Sequence, residues 1–311
     1  MEKRWSNDGL TMEKQRSHKQ FSKKGIDMVK VNSSSGKMVG KRANTIYYEL
    51  NGVTIGRSLP SKMGNPKTEA QMKQRIKMNN ILNTYKYIKG YIQQNFEGTI
   101  GNKNAAGFFR SYNLMKTPVW LSKPQKESYK FVLAPYVVSQ GRITSVKYEF
   151  KNGVFVSDIN VGDLEINDET EVSVLSSVIC GNNESWANND SLQVILLRQK
   201  RVKSLGEEIA HPTCCSIVVN LDNASAMKIG DIAVLESLSN MPRFSLCNVN
   251  GKLAVRLADT KKYTYAFAVV HGRGEGREKI TSSQQLCLSD TALYDNYCGD
   301  DSFSKAYESY K

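Results

Sequence analysis

The sequence predicts an α+β, β-rich chain: an N-terminal basic arm, a β-hairpin and helix, then an antiparallel β-sandwich or barrel-like domain. Three observations lead there. Residues 1–35 are rich in Lys, Arg, Ser and Asn and carry few apolar side chains. Two β-prone runs flank Asn51-Gly52 and lead into a segment whose apolar residues recur at helical spacing. Beyond Trp120 the pattern changes to short apolar runs and period-two alternation with turn residues between them. The expected organisation is therefore a flexible basic arm (1–35), a hairpin plus helical segment (36–120), an antiparallel β domain (121–288) and an acidic tail (289–311).

The arm holds Lys3, Arg4, Lys14, Arg16, Lys19, Lys23, Lys24 and Lys30 among polar residues, with no helical apolar stripe. Such a segment buries too little surface to offset its ordering entropy, so it is expected to order only against a partner. In the next segment Thr45-Ile46-Tyr47-Tyr48-Glu49-Leu50 and Val53-Thr54-Ile55-Gly56-Arg57 read as strands joined at Asn51-Gly52. A type I′ turn needs positive φ at both central residues, which Asn-Gly supplies. An isolated hairpin is marginal in water, so this one is expected to be covered by another element or subunit.

Thr68 and Gln71 are spaced as a capping box at the start of a helix. Met72, Ile76, Leu82, Tyr85, Ile88, Ile92 and Phe96 form its apolar stripe, and Gly90 is a potential bend or end. A second helix is expected over 104–114, burying Ala105, Phe108, Phe109 and Tyr112. Strands are expected at 129–138, 143–150, 154–159, 171–180, 192–198, 214–221, 232–236, 253–257, 263–271 and 284–288, with Asn152-Gly153 as a second hairpin turn.

Charge separates the chain into two halves. Residues 1–150 contain 27 Lys and Arg against 9 Asp and Glu, whereas residues 151–311 contain 16 against 21, within an overall +13. A basic front and an acidic back suit an oriented molecule that meets nucleic acid, an acidic surface, or its own neighbour. Tyr47, Tyr48, Lys73, Arg75, Lys77, Lys86 and Lys89 are the candidate interaction residues of that front. Basic groups interleaved with aromatics suit phosphate neutralisation and base stacking, but no sequence-reading motif accompanies them. No run is long and apolar enough for a membrane span. The first residues lack the apolar stretch of a secretory signal, so the chain is expected to stay in the cytosol that makes it.

The residue inventory argues against catalysis. His18, His211 and His271 are the three histidines, and Cys180, Cys214, Cys215, Cys247, Cys287 and Cys298 form no close pairs of the kind zinc requires. The six cysteines are read as small buried hydrophobes. The run from His271 to Arg277 resembles a glycine-rich phosphate loop, but its sequel reads as another strand, so a hairpin loop is expected. Asp163, Glu165, Asp168, Glu169 and Glu171 are read as a solvated loop. No catalytic residue, cofactor or metal is expected.

Gly36, Gly40, Gly52, Arg57-Ser58-Leu59-Pro60, Asn65-Pro66, Thr68, Gln71 and Arg75 form a pattern with a family resemblance. A Gly-rich segment, a hairpin and Arg-Ser-Leu-Pro precede Asn-Pro-x-Thr-x-x-Gln and a nearby Arg. The pattern resembles a family of uncharacterised proteins from Bacteroidetes and their phages, including crAss-like phages. The resemblance implies a virion role, with assembly in the bacterial host cytoplasm, and Arg57 is counted with the candidate interaction residues. It carries over no catalytic residue. The combined expectation is a non-enzymatic virion structural or assembly protein. It would be a ring or connector component at the portal–tail vertex, homo-oligomeric, contacting portal or tail proteins and DNA nonspecifically. The alternative is a nonspecific nucleic-acid-binding accessory protein.

Overall fold

The computed structural model describes residues 28–30, 39–50, 53–59, 65, 67–98, 104–201, 209–232, 245–276 and 278–311. The chain divides into two compact units, Met1–Pro66 and Lys67–Lys311. That boundary falls between the predicted hairpin and the predicted helix, which belong to different units.

The first unit is an antiparallel sheet of β1 (Met28–Lys30), β2 (Gly40–Arg42), β3 (Thr45–Leu50) and β4 (Val53–Ser58), in the order β1-β4-β3-β2. The predicted hairpin is β3–β4, paired from Thr45↔Ser58 to Leu50↔Val53. Asn51 and Gly52 lie outside the described residues. So does the predicted arm, apart from the three residues that form β1. This pairing places Ile46, Tyr48, Ile55 and Arg57 on one face and Tyr47 and Gly56 on the other. Ile46, Tyr47, Tyr48 and Ile55 are half-buried, and Arg57 is exposed.

In the second unit come α1 (Glu69–Ile92), α2 (Ala105–Asn113), α3 (Lys123–Glu127), β5 (Val137–Ser139), β6 (Tyr148–Lys151), β7 (Val154–Asn160), α4 (Val172–Asn182), β8 (Ser191–Lys200) and β9 (Thr213–Asn220). They are followed by β10 (Ser245–Val249), β11 (Lys252–Arg256), β12 (Tyr263–Arg273), β13 (Ile280–Thr281), β14 (Gln284–Gln285), β15 (Cys287–Leu288), α5 (Ala292–Cys298) and α6 (Asp300–Glu308). A central sheet runs β13-β12-β8-β9, with β15 also on β12; an outer sheet runs β10-β11-β7-β6; β14 pairs with β5. All of these ladders are antiparallel and open. The β-rich α+β expectation holds. Two stacked sheets are present, and the barrel alternative is excluded by the open strand orders.

The central sheet is apolar on both faces, because alternate residues of β8 and β12 enter different cores. Val194, Leu196, Phe267 and Val269 join Phe155, Leu246, Leu253 and Val255 of the outer sheet. Phe155 and Phe267 stack with ring centroids 4.8 Å apart. Ile195, Leu197, Ala266, Ala268 and Val270 face the other way, against Ile81, Ile88 and Ile92 of α1 and Phe109 of α2. The body therefore has three layers: outer sheet, central sheet and helices.

Helix α1 begins as its sequence predicts, with Thr68 Oγ1 accepting the Gln71 N–H at 3.4 Å. Gly90 does not end it. Leu82, predicted to be buried, is exposed, whereas Met72 and Ile76 pack against Trp120, Phe303 and Ala306. The predicted acidic tail is thus a folded part of the body. Phe303, Ala306, Tyr307 and Tyr310 recur at helical spacing and cover the start of α1.

Some predicted strands differ from the structure. Residues 172–182 form helix α4 rather than a strand: its buried residues Val172, Leu175, Ser176 and Ile179 lie on one helical face against the outer-sheet core. Its Val and Ile content favours strands only as a weak local preference, which packing overrides. Of the run 129–138 only 137 and 138 belong to a strand, the start of β5. Before it, Phe131 to Ala134 run extended and buried, held by the Gln199 side chain, which accepts from Leu133 N–H and donates to Phe131 O. The predicted strand 143–150 is short, beginning at Tyr148, and 233–236 lies outside the described residues. Asn152-Gly153 is a left-handed turn as predicted (φ 52° and 81°), and Asn250-Gly251 makes an additional one between β10 and β11 (φ 51° and 75°).

Truncating Phe267 to Ala empties the junction between the two sheets. It is expected to cost about 3–5 kcal/mol, typical of a large aromatic removed from a core. Urea unfolding of the full chain checks this.

Candidate functional site

Charge is distributed by layer. The helical segments 67–98 and 104–130 contain 11 Lys and Arg against three acidic residues, and residues 151–190 contain one basic residue against eight acidic ones. The first group belongs to the layer on one side of the central sheet. The second belongs to β6–β7, α4 and their loops, which pack on the opposite side.

The basic residues predicted on α1 do not act as one surface. Lys73 is half-buried: its Nζ lies 5.1 Å from the Phe303 ring centre and 5.7 Å from that of Trp120, and 3.4 Å from Asp300 Oδ1. Lys77 is buried, its Nζ 3.8 Å from Met115 Sδ. Both work as packing side chains whose aliphatic stems cover apolar neighbours. Arg75, Lys86 and Lys89 are exposed, and with Leu82 they fall on one helical stripe. Lys86 Nζ lies 4.5 Å over the Tyr129 ring. Arg75 to Lys89 spans about 21 Å of helix. Tyr47, Tyr48 and Arg57 sit in the other compact unit, on β3 and β4.

On the opposite layer, Asp163, Glu165 and Asp168 are exposed in the loop between β7 and α4. Glu169 pairs with Lys228. The solvated-loop reading fits their exposure, and they form the densest acidic stretch of that side.

A second arrangement was not anticipated from the sequence. His271, near the end of β12, is 1 % exposed and its Nε2 lies 2.7 Å from Asp190 Oδ2. Arg273, two residues on, donates through Nε to Asp190 Oδ1 at 2.7 Å and through Nη2 to Asp190 Oδ2 at 2.8 Å. Its Nη2 also reaches Ser185 O, and Ala187 N–H donates to Asp190. Trp186 stacks on the His271 ring with centroids 3.7 Å apart. The cluster staples the Asn-rich loop 181–190 to the central sheet. Residues 271 and 273 both face the carboxylate because side chains repeat with period two along a strand. The sequence signal was His271-Gly272-Arg273 beside a lone Asp at the foot of β8, but their meeting is set by the β8–β12 register, which pairs His271 with Leu192.

Burial would raise the Asp190 pKa, but the Arg273, His271 and Ala187 hydrogen bonds outweigh it and hold the carboxyl below its ordinary value. Burial pulls the His271 pKa below its ordinary value, although Asp190 opposes this. His271 Nδ1 is buried without a hydrogen-bond partner, so a proton added there finds no acceptor. Nε2–H donating to a carboxylate whose charge Arg273 already balances is the consistent tautomer.

Asp190 and Arg273 line a polar cleft of about 940 Å³ together with Gln94, Asn188, Asn220, Glu275 and Lys279, while His271 lies buried behind them. The six cysteines form no disulfide with one another; Cys214 and Cys215 are buried and the other four half-buried. Among the described residues, no group of three His, Cys, Asp or Glu side chains is placed to hold a metal ion, and no helix is long and apolar enough to cross a membrane. No family model, curated protein or solved structure matches this chain.

Replacing Asp190 by Asn removes the charge that balances Arg273 and turns one of the two acceptor oxygens into a donor facing Arg273 or His271. Because Arg273 is partly open to solvent, the expected destabilisation is about 1–3 kcal/mol, the cost of a buried hydrogen-bonding group left unmatched. The pH dependence has a definite sign. The unfolded chain protonates His271 near pH 6.5 and the native state resists doing so, so stability is full above that pH and falls as the pH drops through it. Urea midpoints should decline from about pH 7.5 to 5.5 in the wild type, and less steeply in His271→Gln.

Proposed function

We propose that this chain is a non-enzymatic structural or assembly protein of a phage virion, built to pack head to tail with copies of itself. The ring or connector position at the portal–tail vertex is the place in a particle that such packing suits. The observation that carries the reading is the polarity of the body: an exposed basic stripe of Arg75, Lys86 and Lys89 on the helical layer, and exposed Asp163, Glu165 and Asp168 on the opposite side of the central sheet. Opposite charges on opposite sides of one rigid body make a heterologous contact, which closes into a ring when the rotation between copies allows. They also steer encounter and set orientation. The sheet of the first unit supports the same reading. Its half-buried Ile46, Tyr48 and Ile55 share a face with Arg57, a surface suited to a portal, tail or neighbouring subunit. The non-enzymatic part rests on the Asp190–His271–Arg273 cluster, in which the Asp190 carboxylate, the single His271 nitrogen that reaches a partner, and Arg273 Nε and Nη2 are engaged with one another and with loop 181–190.

Charge exchange tests the reading. The triple variant Arg75→Glu, Lys86→Glu, Lys89→Glu is expected to be monomeric, and so is Asp163→Lys, Glu165→Lys, Asp168→Lys. A chain carrying all six substitutions restores complementarity and should assemble again, as measured by sedimentation velocity. Assembly by both triple variants would overturn the head-to-tail reading. If the basic-side variant instead kept its assembly and lost only DNA binding, the nucleic-acid-binding alternative would replace it.

A further inference from the structure

We propose that the polar cleft beside the Asp190–His271–Arg273 cluster is a binding site for an acidic saccharide, with Lys279 receiving the sugar's carboxylate. The inference is independent of the assembly reading.

Two residues that line the cleft, Ser191 and Lys279, meet over a missing side chain on the sheet face opposite to His271 and Arg273. Gly272 lies between His271 and Arg273 on β12, opposite Ser191 at the start of β8. A Cβ at Gly272 would stand 2.5 Å from Ser191 Oγ and 3.1 Å from Lys279 Cε. The Ser191 hydroxyl and the Lys279 chain therefore converge over bare backbone, and any larger residue would push them apart. Lys279 is half-buried there. Among the described residues, no hydrogen bond or ion pair is formed by its Nζ. Glu275 acts on it only through longer-range charge, and a half-buried ammonium of this kind is costly unless an anion reaches it.

Other cleft groups also have unused capacity. Among the described residues Arg273 spends Nε and Nη2 on Asp190 and Ser185 and makes no bond through Nη1. The Asn188 Oδ1 accepts the Asn223 N–H, leaving its amide NH₂. Gln94 and Asn220 bring two further amides to the same wall. Side-chain amides donate and accept at once, as sugar hydroxyls do. Asp222 and Glu275 line the cleft too and add acceptors for hydroxyl protons. They disfavour a bare phosphate, whose oxygens meet them acceptor to acceptor, whereas the hydroxyls of a uronate ring donate to them. A hydroxylated ring with a single carboxylate satisfies both demands: hydroxyls for the amides and acids, one anionic group for Lys279 at an ion-pair distance of about 2.7–2.9 Å. A volume of about 940 Å³ accommodates more than one sugar ring. Asp190, already balanced by Arg273 and His271, holds this wall in place and need not touch the ligand.

Isothermal calorimetry with the full chain tests the proposal, using trigalacturonate, neutral maltotriose and inorganic phosphate as probes. Trigalacturonate is expected to bind the wild type saturably and to bind Lys279→Met at least about tenfold more weakly. Met keeps an unbranched stem over Gly272, and an unchanged thermal midpoint would show that the variant folds. Asn220→Ala should weaken trigalacturonate as well, separating ring recognition from charge. No saturable trigalacturonate binding to the wild type up to about 10 mM would overturn the proposal. So would phosphate binding as tightly with the same dependence on Lys279, which would mark a simple anion site. Equal affinity for trigalacturonate and maltotriose would also contradict it, because Lys279 would then contribute nothing.

Discussion

The body depends on the pairing of β8 with β12, which runs unbroken from Tyr263↔Lys200 to Gly272↔Ser191. An antiparallel sheet commonly buries one face and wets the other. Here both faces are buried, so the same ladder organises two cores at once. A slip of one residue would exchange the two sets of side chains, sending Phe267 towards the helices and Ala266 and Ala268 towards the outer sheet. The small Ala residues suit the close approach of helices, and the aromatic rings suit the wider gap between sheets. The register also brings His271 and Arg273 to Asp190, so the ionic staple and the polar cleft are consequences of the same alignment.

Polar residues within this core tie layers together. Gln193 accepts from Asn95 and donates to Tyr91 O and Ser216 Oγ, joining the end of α1 to two strands of the central sheet. Gln199 holds the buried extended segment before β5 and also donates to Ala210 O. Buried amides are tolerated because their donors and acceptors are matched, and their directionality fixes where each layer sits. The helical layer and the outer sheet are therefore held on opposite sides with their charges pointing apart, which is the physical basis of the proposed assembly.

The sequence made some of this legible and concealed the rest for identifiable reasons. β8, β9, β11 and β12 were legible because continuous runs such as Leu192 to Leu197 have few alternatives, and the turn at Asn152-Gly153 was set by its need for positive φ. α4 was concealed because Val172, Val174, Val178 and Ile179 look strand-like in isolation, although the burial of 172, 175, 176 and 179 follows a helix. The run 129–138 was apolar for another reason: it fills the helical-side core without pairing along most of its length. Of the basic residues on α1, composition alone could not separate exposed Arg75, Lys86 and Lys89 from packed Lys73 and Lys77. That distinction depends on Trp120, Phe303 and Met115, which come from distant parts of the chain. The Asp190–His271–Arg273 cluster was hidden for the same reason, since 81 residues separate its acid from its histidine.

The central claim is that opposed charge across the layers drives association of identical subunits. The most direct measurement is the mass of the full chain by size-exclusion chromatography with light scattering, across a series of salt concentrations. Exposed charge contacts are screened over about 10 Å at 0.1 M salt and over about 3 Å at 1 M. The account predicts a closed oligomer of one defined mass at low salt that gives way to monomer as salt rises. A monomer at every salt concentration, or an oligomer whose mass is indifferent to salt, would contradict it.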